Sequence, residues 1–230
     1  MIKQRVMIGN IPALIWGGES DRVWLCVHGK LSSKDAFEYL AEIAAEKGYQ
    51  TISFDLPGHG ERISEGERCD IWNGVRDLKI VGDYVFDRWK RVSLFGCSLG
   101  AFFSLHAYHE RRFEECLFQS PILDMEYLIR QMMNWFGITE ERLEREREIE
   151  TPIDLMTWEY FQYVRNNPIR RWDTPASILF GEKDDLQTVH IMNDFVGRFG
   201  GQVTVSPDSE HPFMSMRDAA IAESWLRDNI

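Results

Sequence analysis

A serine between two glycines is the residue of this sequence best placed to carry out chemistry. Gly96, Ser98 and Gly100 form a Gly-x-Ser-x-Gly pattern between an apolar run at 91–95 and a helix-like run at 101–108. The pattern alone occurs by chance in ordinary turns, but between a strand and a helix it is typical of a nucleophile elbow. The elbow turns so sharply that larger residues would clash, and it exposes the serine at the carboxyl end of the strand. We therefore predict that Ser98 is a nucleophile.

A nucleophilic serine needs a base, and histidine is the usual one because its pKa lies near neutrality. The histidines of the chain are His28, His59, His106, His109, His190 and His211. In the chain order serine, acid, histidine, the base follows the last strand, and His211 lies there, before a predicted closing helix. His190 falls within a predicted helix and is expected on the surface. His106 and His109 share a helix without a third ligand nearby, so we expect an ordinary helix face rather than a metal site.

The acid that orients the histidine is expected after a strand end between the serine and the histidine. Asp184 follows a predicted strand at 176–180, in the run Gly-Glu-Lys-Asp-Asp, and we predict it as the acid. Its neighbour Asp185 is an alternative, since only one of two adjacent carboxylates can point at the histidine. Asp124 is a second alternative, if the acid comes from the preceding strand.

Acyl transfer also needs two backbone N–H donors that bind the oxyanion. One is predicted to be the N–H of Leu99, directly after the serine. The other is expected in the loop after the apolar strand at 23–27, at Lys30, which follows His28 and Gly29. Only the backbone of Lys30 is needed there. Its side chain is expected to be a solvated surface lysine, with attraction of an acidic group on the substrate as the alternative.

The rest of the chain alternates between apolar runs of strand length and amphipathic runs of helix length. The predicted strands cover residues 3–8, 11–16, 23–27, 51–54, 91–95, 115–119, 176–180 and 202–205. The predicted helices cover residues 34–47, 71–89, 101–108, 188–199 and 215–228. Such alternation predicts an α/β fold with a mostly parallel sheet, helices on both faces and a site at the carboxyl ends of the strands.

The alternation is interrupted at 125–172, where we find helical patterns and no strand. Helices are predicted at 127–136, at 139–147 and at 151–165, the last opening with Thr-Pro-Ile-Asp. The segment leaves the sheet at the edge where Ser98 lies, so we expect a lid over the site, with a helical hairpin on the side of the domain as the alternative. Its large apolar side chains could line a pocket, or could simply pack the segment: Met132, Met133, Trp135, Phe136, Trp158, Tyr160 and Phe161.

Composition limits the partners and the location of the protein. The chain has 230 residues, of which 44% are hydrophobic, and a net charge of −11. This acidic balance argues against nucleic acids and anionic membranes as partners, because both need a basic face. No apolar run is long enough to span a bilayer, and the first residues lack an apolar signal core. The four cysteines show no Cys-x-x-Cys pair, so we expect reduced thiols in a cytoplasmic protein and no zinc site.

The sequence resembles the α/β-hydrolase family over nearly its whole length. The matching segments are His28-Gly29, Asp55-Leu56-Pro57-Gly58-His59-Gly60, Gly96-Cys97-Ser98-Leu99-Gly100, Gly181-Glu182-Lys183-Asp184 and His211. The resemblance implies an eight-stranded, mostly parallel sheet flanked by helices, with a core at 1–124 and 173–230 and a helical lid at 125–172. It also supports Asp184 as the acid. The run at 59–62 resembles small bacterial esterases of the family.

Together these features predict a serine hydrolase that cleaves a small-molecule carboxylic ester through an acyl-enzyme. Ser98 is the predicted nucleophile, His211 the base and then the acid, and Asp184 the residue that orients the histidine. The N–H groups of Lys30 and Leu99 are predicted to hold the oxyanion. A thioesterase, an amidase or peptidase and a C–C bond hydrolase are alternatives with the same triad, and a non-catalytic ligand-binding protein is an alternative from another class. No nucleotide, flavin or metal signature is found, so we expect no cofactor.

Overall fold

Eight of the ten strands in the computed structural model, which describes residues 1–230, form one central sheet. The strands are β1 (Lys3–Ile8), β2 (Ile11–Trp16), β3 (Arg22–Val27), β4 (Gln50–Phe54), β5 (Arg91–Cys97), β6 (Cys116–Gln119), β7 (Glu148–Glu150), β8 (Leu155–Thr157), β9 (Ala176–Gly181) and β10 (Gly201–Ser206). The order in the central sheet is β1-β2-β4-β3-β5-β6-β9-β10, and β7 and β8 form a separate pair. The prediction of a mostly parallel eight-stranded sheet is confirmed, because only β1–β2 and β2–β4 pair antiparallel in it.

The central strands are apolar on both sides because helices cover both faces of the sheet. Every residue of β2 is buried, and so is every residue of β3 after Arg22. Gly9, with a φ of +61°, lies in the tight turn that joins β1 to β2. The strand that leads to Ser98, β5, lies between β3 and β6. The carboxyl end of β5 is therefore in the middle of the parallel part of the sheet, where the loops of its neighbours can reach it.

The chain forms eight α-helices, five of which flank the sheet and three of which lie in the segment at 125–172. They are α1 (Glu38–Glu46), α2 (Ile71–Arg88), α3 (Leu99–Ala107), α4 (Met125–Trp135), α5 (Glu140–Glu146), α6 (Trp158–Asn166), α7 (Val189–Phe199) and α8 (Met216–Asn229), and a 3₁₀ turn at Lys34–Phe37 precedes α1. On one face, Leu40 of α1 and Trp225 of α8 belong to the same buried cluster. On the other face, Leu78 of α2 and Phe103 of α3 belong to a larger buried cluster, the main hydrophobic core. None of the helices has the length and apolar character needed to cross a membrane.

The segment at 125–172 contains a strand pair, so the prediction that it holds helices and no strand is wrong. β7 and β8 pair antiparallel. The predicted helix start at Thr151 is instead the turn of this hairpin. The Thr151 side chain accepts a hydrogen bond from the Asp154 N–H at 3.0 Å and donates one to the Asp154 carbonyl oxygen at 2.7 Å, which closes a turn rather than opening a helix. Helix α6 begins only after Thr157, whose side chain accepts from the Tyr160 N–H at 3.1 Å.

The inserted segment, the name used below for residues 125–172, packs against α2 and α3. The Tyr163 ring lies 5.5 Å from the Trp72 ring between centroids. Ile129 and Phe161 are buried in the same cluster as the residues of α2 and α3. The segment therefore shares the main hydrophobic core of the protein rather than forming one of its own.

Candidate active site

Ser98 lies at the sharp turn between β5 and α3. Its φ of +51° and ψ of −119° fall in a region that residues with a side chain rarely adopt, so the backbone is strained there. The two glycines make the turn possible. A Cβ on Gly96 would lie 2.9 Å from the Ala101 Cα, and one on Gly100 would lie 2.3 Å from the Val27 carbonyl oxygen. Any larger residue at either position would push α3 away from the sheet.

His211 lies in the loop between β10 and α8, and its side chain reaches the serine. The His211 Nε2 is 2.8 Å from the Ser98 Oγ, which is hydrogen-bonding distance. Gln119, at the end of β6, donates to the Pro212 carbonyl oxygen at 2.9 Å. Gly181, at the end of β9, lets the loop that carries His211 approach closely. A Cβ on Gly181 would lie 2.4 Å from the Ser209 carbonyl oxygen of that loop. These contacts hold the imidazole at the end of β5.

Asp184, in the loop after β9, is the carboxylate that contacts the histidine. Its Oδ2 is 2.8 Å from the His211 Nδ1. Its Oδ1 accepts hydrogen bonds from the Leu186 and Gln187 N–H groups at 2.9 and 3.3 Å. The side chain of Asp184 has no exposed area. An ionised carboxylate there makes Nδ1 of the histidine a donor, which leaves Nε2 as an acceptor that faces the serine hydroxyl.

The two alternative acids lie elsewhere. Asp185 is exposed. Asp124 is exposed at the start of α4, where its Oδ1 accepts a hydrogen bond from the Tyr127 N–H at 2.8 Å and caps the helix. Of the three aspartates considered from the sequence, the fold brings Asp184 alone within hydrogen-bond distance of His211.

The two predicted oxyanion donors lie beside the serine. Leu99 is the first residue of α3, and N–H groups in the first turn of a helix have no partner within the helix. Lys30 lies in the loop at 28–31, called the oxyanion loop below, and its backbone N–H donates no hydrogen bond within the protein. This loop lies against the serine, since a Cβ on Gly29 would be 3.0 Å from the Ser98 Cβ. Both donors line the same cavity as the serine, so both are available to a group bound there.

Two buried histidines hold the oxyanion loop in place. The His28 Nδ1 donates to the Gly29 carbonyl oxygen at 2.7 Å, and its Nε2 accepts from the Leu56 N–H at 3.1 Å. Burial lowers the pKa of His28 to about 4, so the ring is neutral near pH 7 and can fill both roles. The His59 Nε2 accepts from the Leu31 N–H at 3.0 Å. These positioning roles were not predicted from the sequence, although both histidines stand in the segments that carry the family resemblance.

A buried ion pair supports the loop at 55–61, which carries His59. The Lys34 Nζ is 2.7 Å from the Asp55 Oδ2, and both side chains are buried. Asp55 also accepts hydrogen bonds from the Lys34 and Glu61 N–H groups at 2.9 and 3.0 Å. Burial by itself lowers the pKa of Lys34, but the hydrogen bonds to Asp55 and Glu61 outweigh it and raise that pKa. The Lys34 ammonium group therefore stays charged near neutral pH.

Gln187, whose role was not predicted from the sequence, joins the loop that carries Asp184 to the residues directly before the inserted segment. Its side chain is buried, and its Oε1 accepts hydrogen bonds from the Leu123 and Asp124 N–H groups at 3.0 and 2.9 Å. Its Nε2 donates to the Asp124 carbonyl oxygen at 3.0 Å. No sequence signal could have found it, because these partners are 64 and 63 residues away along the chain.

The fold of this chain is shared with known proteins. Residues 18–157, more than half of the chain, match the sequence model of the family described as serine aminopeptidase, S33. The chain belongs to the α/β-hydrolase family. This family match supports a hydrolase.

Three relatives of this α/β-hydrolase illustrate the similarity. It is 32% identical over 93 residues to a serine hydrolase-like protein of Dictyostelium discoideum, covering 40% of this chain and 26% of that one. The chain spans less than a third of the length of the curated relatives it matches. It is similar to the mouse alpha/beta hydrolase domain-containing protein 10, with a TM-score of 0.77 and 16% identity over 99% of this chain and 98% of that one. A Pyrococcus furiosus esterase gives a TM-score of 0.72 and 18% identity over 99% and 89% of the two chains.

The serine of this α/β-hydrolase lines an apolar cavity of about 150 Å³ beneath the inserted segment. Of the 17 residues that line the cavity, 13 are hydrophobic. The inserted segment supplies most of this wall, through Met125, Leu128, Ile129, Met132, Trp135, Ile153, Leu155, Met156 and Tyr160. Three of the seven apolar residues considered from the sequence are therefore in the wall. The other four pack in the main core (Met133 and Phe161) or against it (Phe136 and Trp158).

The side chain of Lys30 is paired, so the expectation of a simply solvated lysine is wrong. Its Nζ forms an ion pair with the Asp154 carboxylate and lies 3.2 Å from the Ile153 carbonyl oxygen. Both partners belong to the turn between β7 and β8. The oxyanion loop and the inserted segment are thereby joined at the cavity, since Lys30 and Asp154 both line it.

Two cysteines near the site are poor nucleophiles. Cys97 directly precedes the serine, and Cys69 lines the apolar cavity. Burial raises the pKa of each thiol to about 12, so both stay protonated near neutral pH. No group of three or more His, Cys, Asp or Glu side chains is arranged to hold a metal ion.

Proposed function

We propose that the protein is a serine hydrolase that cleaves a small-molecule carboxylic ester through an acyl-enzyme. The observation that carries this proposal is a chain of two hydrogen bonds, each of 2.8 Å, from Asp184 to His211 and from His211 to Ser98. Such a chain activates a serine, whose hydroxyl is a poor nucleophile until a base accepts its proton.

In the first step, the Ser98 Oγ attacks the ester carbonyl carbon while its proton passes to the His211 Nε2. The Asp184 carboxylate stabilises the imidazolium that forms and keeps Nδ1 protonated. The carbonyl oxygen becomes an oxyanion, which the backbone N–H groups of Lys30 and Leu99 bind. The tetrahedral intermediate then collapses, the bond to the leaving oxygen breaks, and His211 gives that oxygen its proton.

In the second step, a water molecule takes the place of the departed alcohol. The oxygen of this water attacks the acyl carbon while His211 accepts a proton from the water. The bond between the acyl carbon and the Ser98 Oγ breaks, and His211 returns the proton to the serine. The products are an alcohol and a carboxylic acid, and no cofactor takes part in either step.

The apolar cavity supports an acyl group of modest size as the part of the substrate that this protein recognises. Its volume of about 150 Å³ and its hydrophobic lining match a short aliphatic chain or a single aromatic ring. Each buried methylene group adds about 0.8 kcal/mol to binding in such a cavity. We therefore expect kcat/KM to rise with acyl length until the cavity is filled.

We assign the inserted segment the role of a lid over a core formed by residues 1–124 and 173–230. Two contacts support this assignment. The segment forms the wall of the cavity opposite the serine, and Gln187 ties Leu123 and Asp124, which directly precede the segment, to the loop that carries Asp184. A segment with these contacts is positioned to exclude water from the acyl group.

The predicted location and partners remain part of the proposal. All four cysteines are free thiols, which supports a reducing compartment and hence the cytoplasm. The net charge of −11 disfavours nucleic acids and anionic membranes, so a small-molecule ester is the partner we propose.

The test is a panel of esters, thioesters and anilides of the same acids, from acetate to laurate, assayed with the wild type and with Ser98→Ala. We expect ester hydrolysis with an optimum at an intermediate chain length, and its loss in Ser98→Ala. Faster cleavage of the thioester or the anilide would move the protein to a thioesterase or an amidase. A folded wild type that binds the acids and turns over no member of the panel would make it a binding protein instead.

A further inference from the structure

A second, polar cavity adjoins the apolar one. This polar cleft has a volume of about 730 Å³, and its lining is rich in charged side chains, among them Arg68, Asp70, Arg147, Glu148 and Glu159. Ser98 does not line it. The protein therefore offers a substrate two environments close together, one apolar at the reacting serine and one polar beside it.

Residues that line both cavities form the partition between them. They are Lys30, Cys69, Asp154, Leu155, Thr157 and Tyr160. Lys30 and Cys69 belong to loops of the sheet domain, whereas the other residues belong to the inserted segment. The ion pair between Lys30 and Asp154 joins the two sides of this partition. The Lys30 Nζ also donates to the Ile153 carbonyl oxygen of the same turn at 3.2 Å, so the partition can open where the Lys30 side chain leaves these two partners.

The exposure of this ion pair makes it a contact that opens readily. The side chains of Lys30 and Asp154 are 35% and 54% exposed. Exposed ion pairs stabilise a protein weakly and are screened by salt. The turn that carries Asp154 does not depend on the pair, because the Thr151 side chain holds it through its own hydrogen bonds. Rotation of the Lys30 side chain breaks both of its contacts with this turn.

We propose that the Lys30–Asp154 ion pair is a gate for the leaving group of the substrate. When the gate is open, a bulky polar alcohol extends into the polar cleft while its apolar acyl group stays in the cavity at Ser98. When the gate is closed, esters of small alcohols still fit. The substrate class is thus an ester of an apolar acid with a polar alcohol, and Asp154 is a specificity residue. This inference rests on the proposed function, because a leaving group exists only if Ser98 is acylated.

The test compares two esters of hexanoic acid, one of methanol and one of glucose, with the full-length protein. The measured quantity is the kcat/KM for the glucose ester divided by that for the methyl ester. Asp154→Asn removes the charge and keeps the shape of the side chain. We expect it to raise this ratio by up to about fivefold, the most that loss of an exposed ion pair supplies, and we expect Lys30→Gln to raise it in the same direction.

The matched control is Glu146→Gln, which removes exposed ion pairs with Arg142 and Arg145 elsewhere in the inserted segment. Its ratio should equal that of the wild type. Raising the salt concentration to ~1 M should raise the ratio of the wild type, because salt screens the pair, and should leave the ratio of Asp154→Asn unchanged. This salt comparison on the wild type also decides the matter if Asp154→Asn does not fold.

A ratio that is the same in the wild type, Asp154→Asn and Lys30→Gln would overturn the gate, as would a wild-type ratio that does not respond to salt. An equal rise in Glu146→Gln would also overturn it, since the effect would then not belong to this pair. These outcomes leave the proposed function standing. The proposed function itself fails if Ser98→Ala hydrolyses both esters at the wild-type rate.

Discussion

The two regions that face each other across Ser98 are held in place by different kinds of contact. On the side of the sheet, buried polar groups fix the loops. Asp184 accepts hydrogen bonds from two backbone N–H groups besides its contact with the histidine. The ion pair of Lys34 and Asp55 is buried. On the other side, the inserted segment contributes apolar side chains, and its ion pair through Asp154 is exposed.

This difference matches what each region does in the proposed reaction. Proton transfer and oxyanion binding depend on distances, and a misplacement of about 1 Å can cost 10²-fold in rate. Hydrogen bonds to buried charged groups keep such distances fixed. An acyl group is recognised by the apolar area it buries, which tolerates small movements of the wall. Changes in the sheet loops should therefore alter the rate, and changes in the inserted segment should alter substrate preference.

The largest effect is expected from the nucleophile. Ser98→Ala removes the attacking oxygen, and kcat on the preferred ester should fall by about 10⁵- to 10⁶-fold, as loss of the nucleophile does in a serine protease. Circular dichroism and the melting temperature should stay close to those of the wild type, since alanine fits where serine does. Substantial hydrolysis by a folded Ser98→Ala variant would show that the reaction occurs elsewhere.

The acid is the next residue in expected effect. Asp184→Asn should lower kcat by about 10⁴-fold, because an amide does not hold the histidine in the required tautomer. Asp124→Asn is the matched control, since asparagine caps a helix as well as aspartate does, and its kcat should stay near that of the wild type. If Asp124→Asn were the more damaging change, the acid would belong to the loop after β6.

A buried histidine in the sheet domain predicts a loss of stability in acid. His106 on α3 is mostly buried, and burial lowers its pKa from 6.5 to about 4. Between these pH values the unfolded chain binds a proton that the folded chain does not, so the free energy of unfolding falls as the pH falls. The shift corresponds to about 3 kcal/mol by pH 4. His106→Leu should remove this part of the acid sensitivity in urea titrations repeated at each pH.

The control for that measurement is His190→Leu. The His190 side chain is 82% exposed, so its replacement should leave the pH dependence of the unfolding free energy unchanged. An unchanged pH dependence in His106→Leu would show that His106 is protonated in the folded protein as easily as in the unfolded one.

The smallest effect is expected in the inserted segment. Trp135→Ala removes part of the wall of the apolar cavity and should lower kcat/KM for hexanoate esters by about tenfold, which is 1.4 kcal/mol of lost apolar contact. Trp135 is 42% exposed, so little stability should be lost. Acetate esters should be hydrolysed as by the wild type.

The control is Trp72→Ala, because Trp72 is 41% exposed and lines the polar cleft but not the apolar cavity. The dependence of kcat/KM on acyl length in Trp72→Ala should match that in the wild type. Equal changes in the two variants would show that the apolar cavity does not bind the acyl group.

How much could be predicted from the sequence also differs between the two regions. In the sheet domain, strands alternate with helices and glycines mark the tight turns. The local sequence pattern therefore predicts both the sheet and the loops that carry Ser98, His211 and Asp184. In the inserted segment the same local reasoning failed at Thr151, since Thr-Pro suits a helix start as well as a turn, and side-chain hydrogen bonds decided for the turn.

Contacts between distant residues could not be predicted in either region. Lys30 pairs with Asp154, which is 124 residues away, and the partners of Gln187 are 64 and 63 residues away. Nothing in the residues near them distinguishes these side chains from ordinary surface lysines and glutamines. Such contacts depend on how the segment lies on the sheet, which a single sequence does not encode locally.

The measurement that tests the central claim most directly is reaction with a fluorophosphonate, followed by peptide mapping with mass spectrometry. We predict one adduct per chain, on Ser98, formed rapidly by the wild type and much more slowly by Asp184→Asn. An adduct on another residue, or no adduct on a folded protein that hydrolyses esters, would contradict the account of Ser98 as an activated nucleophile.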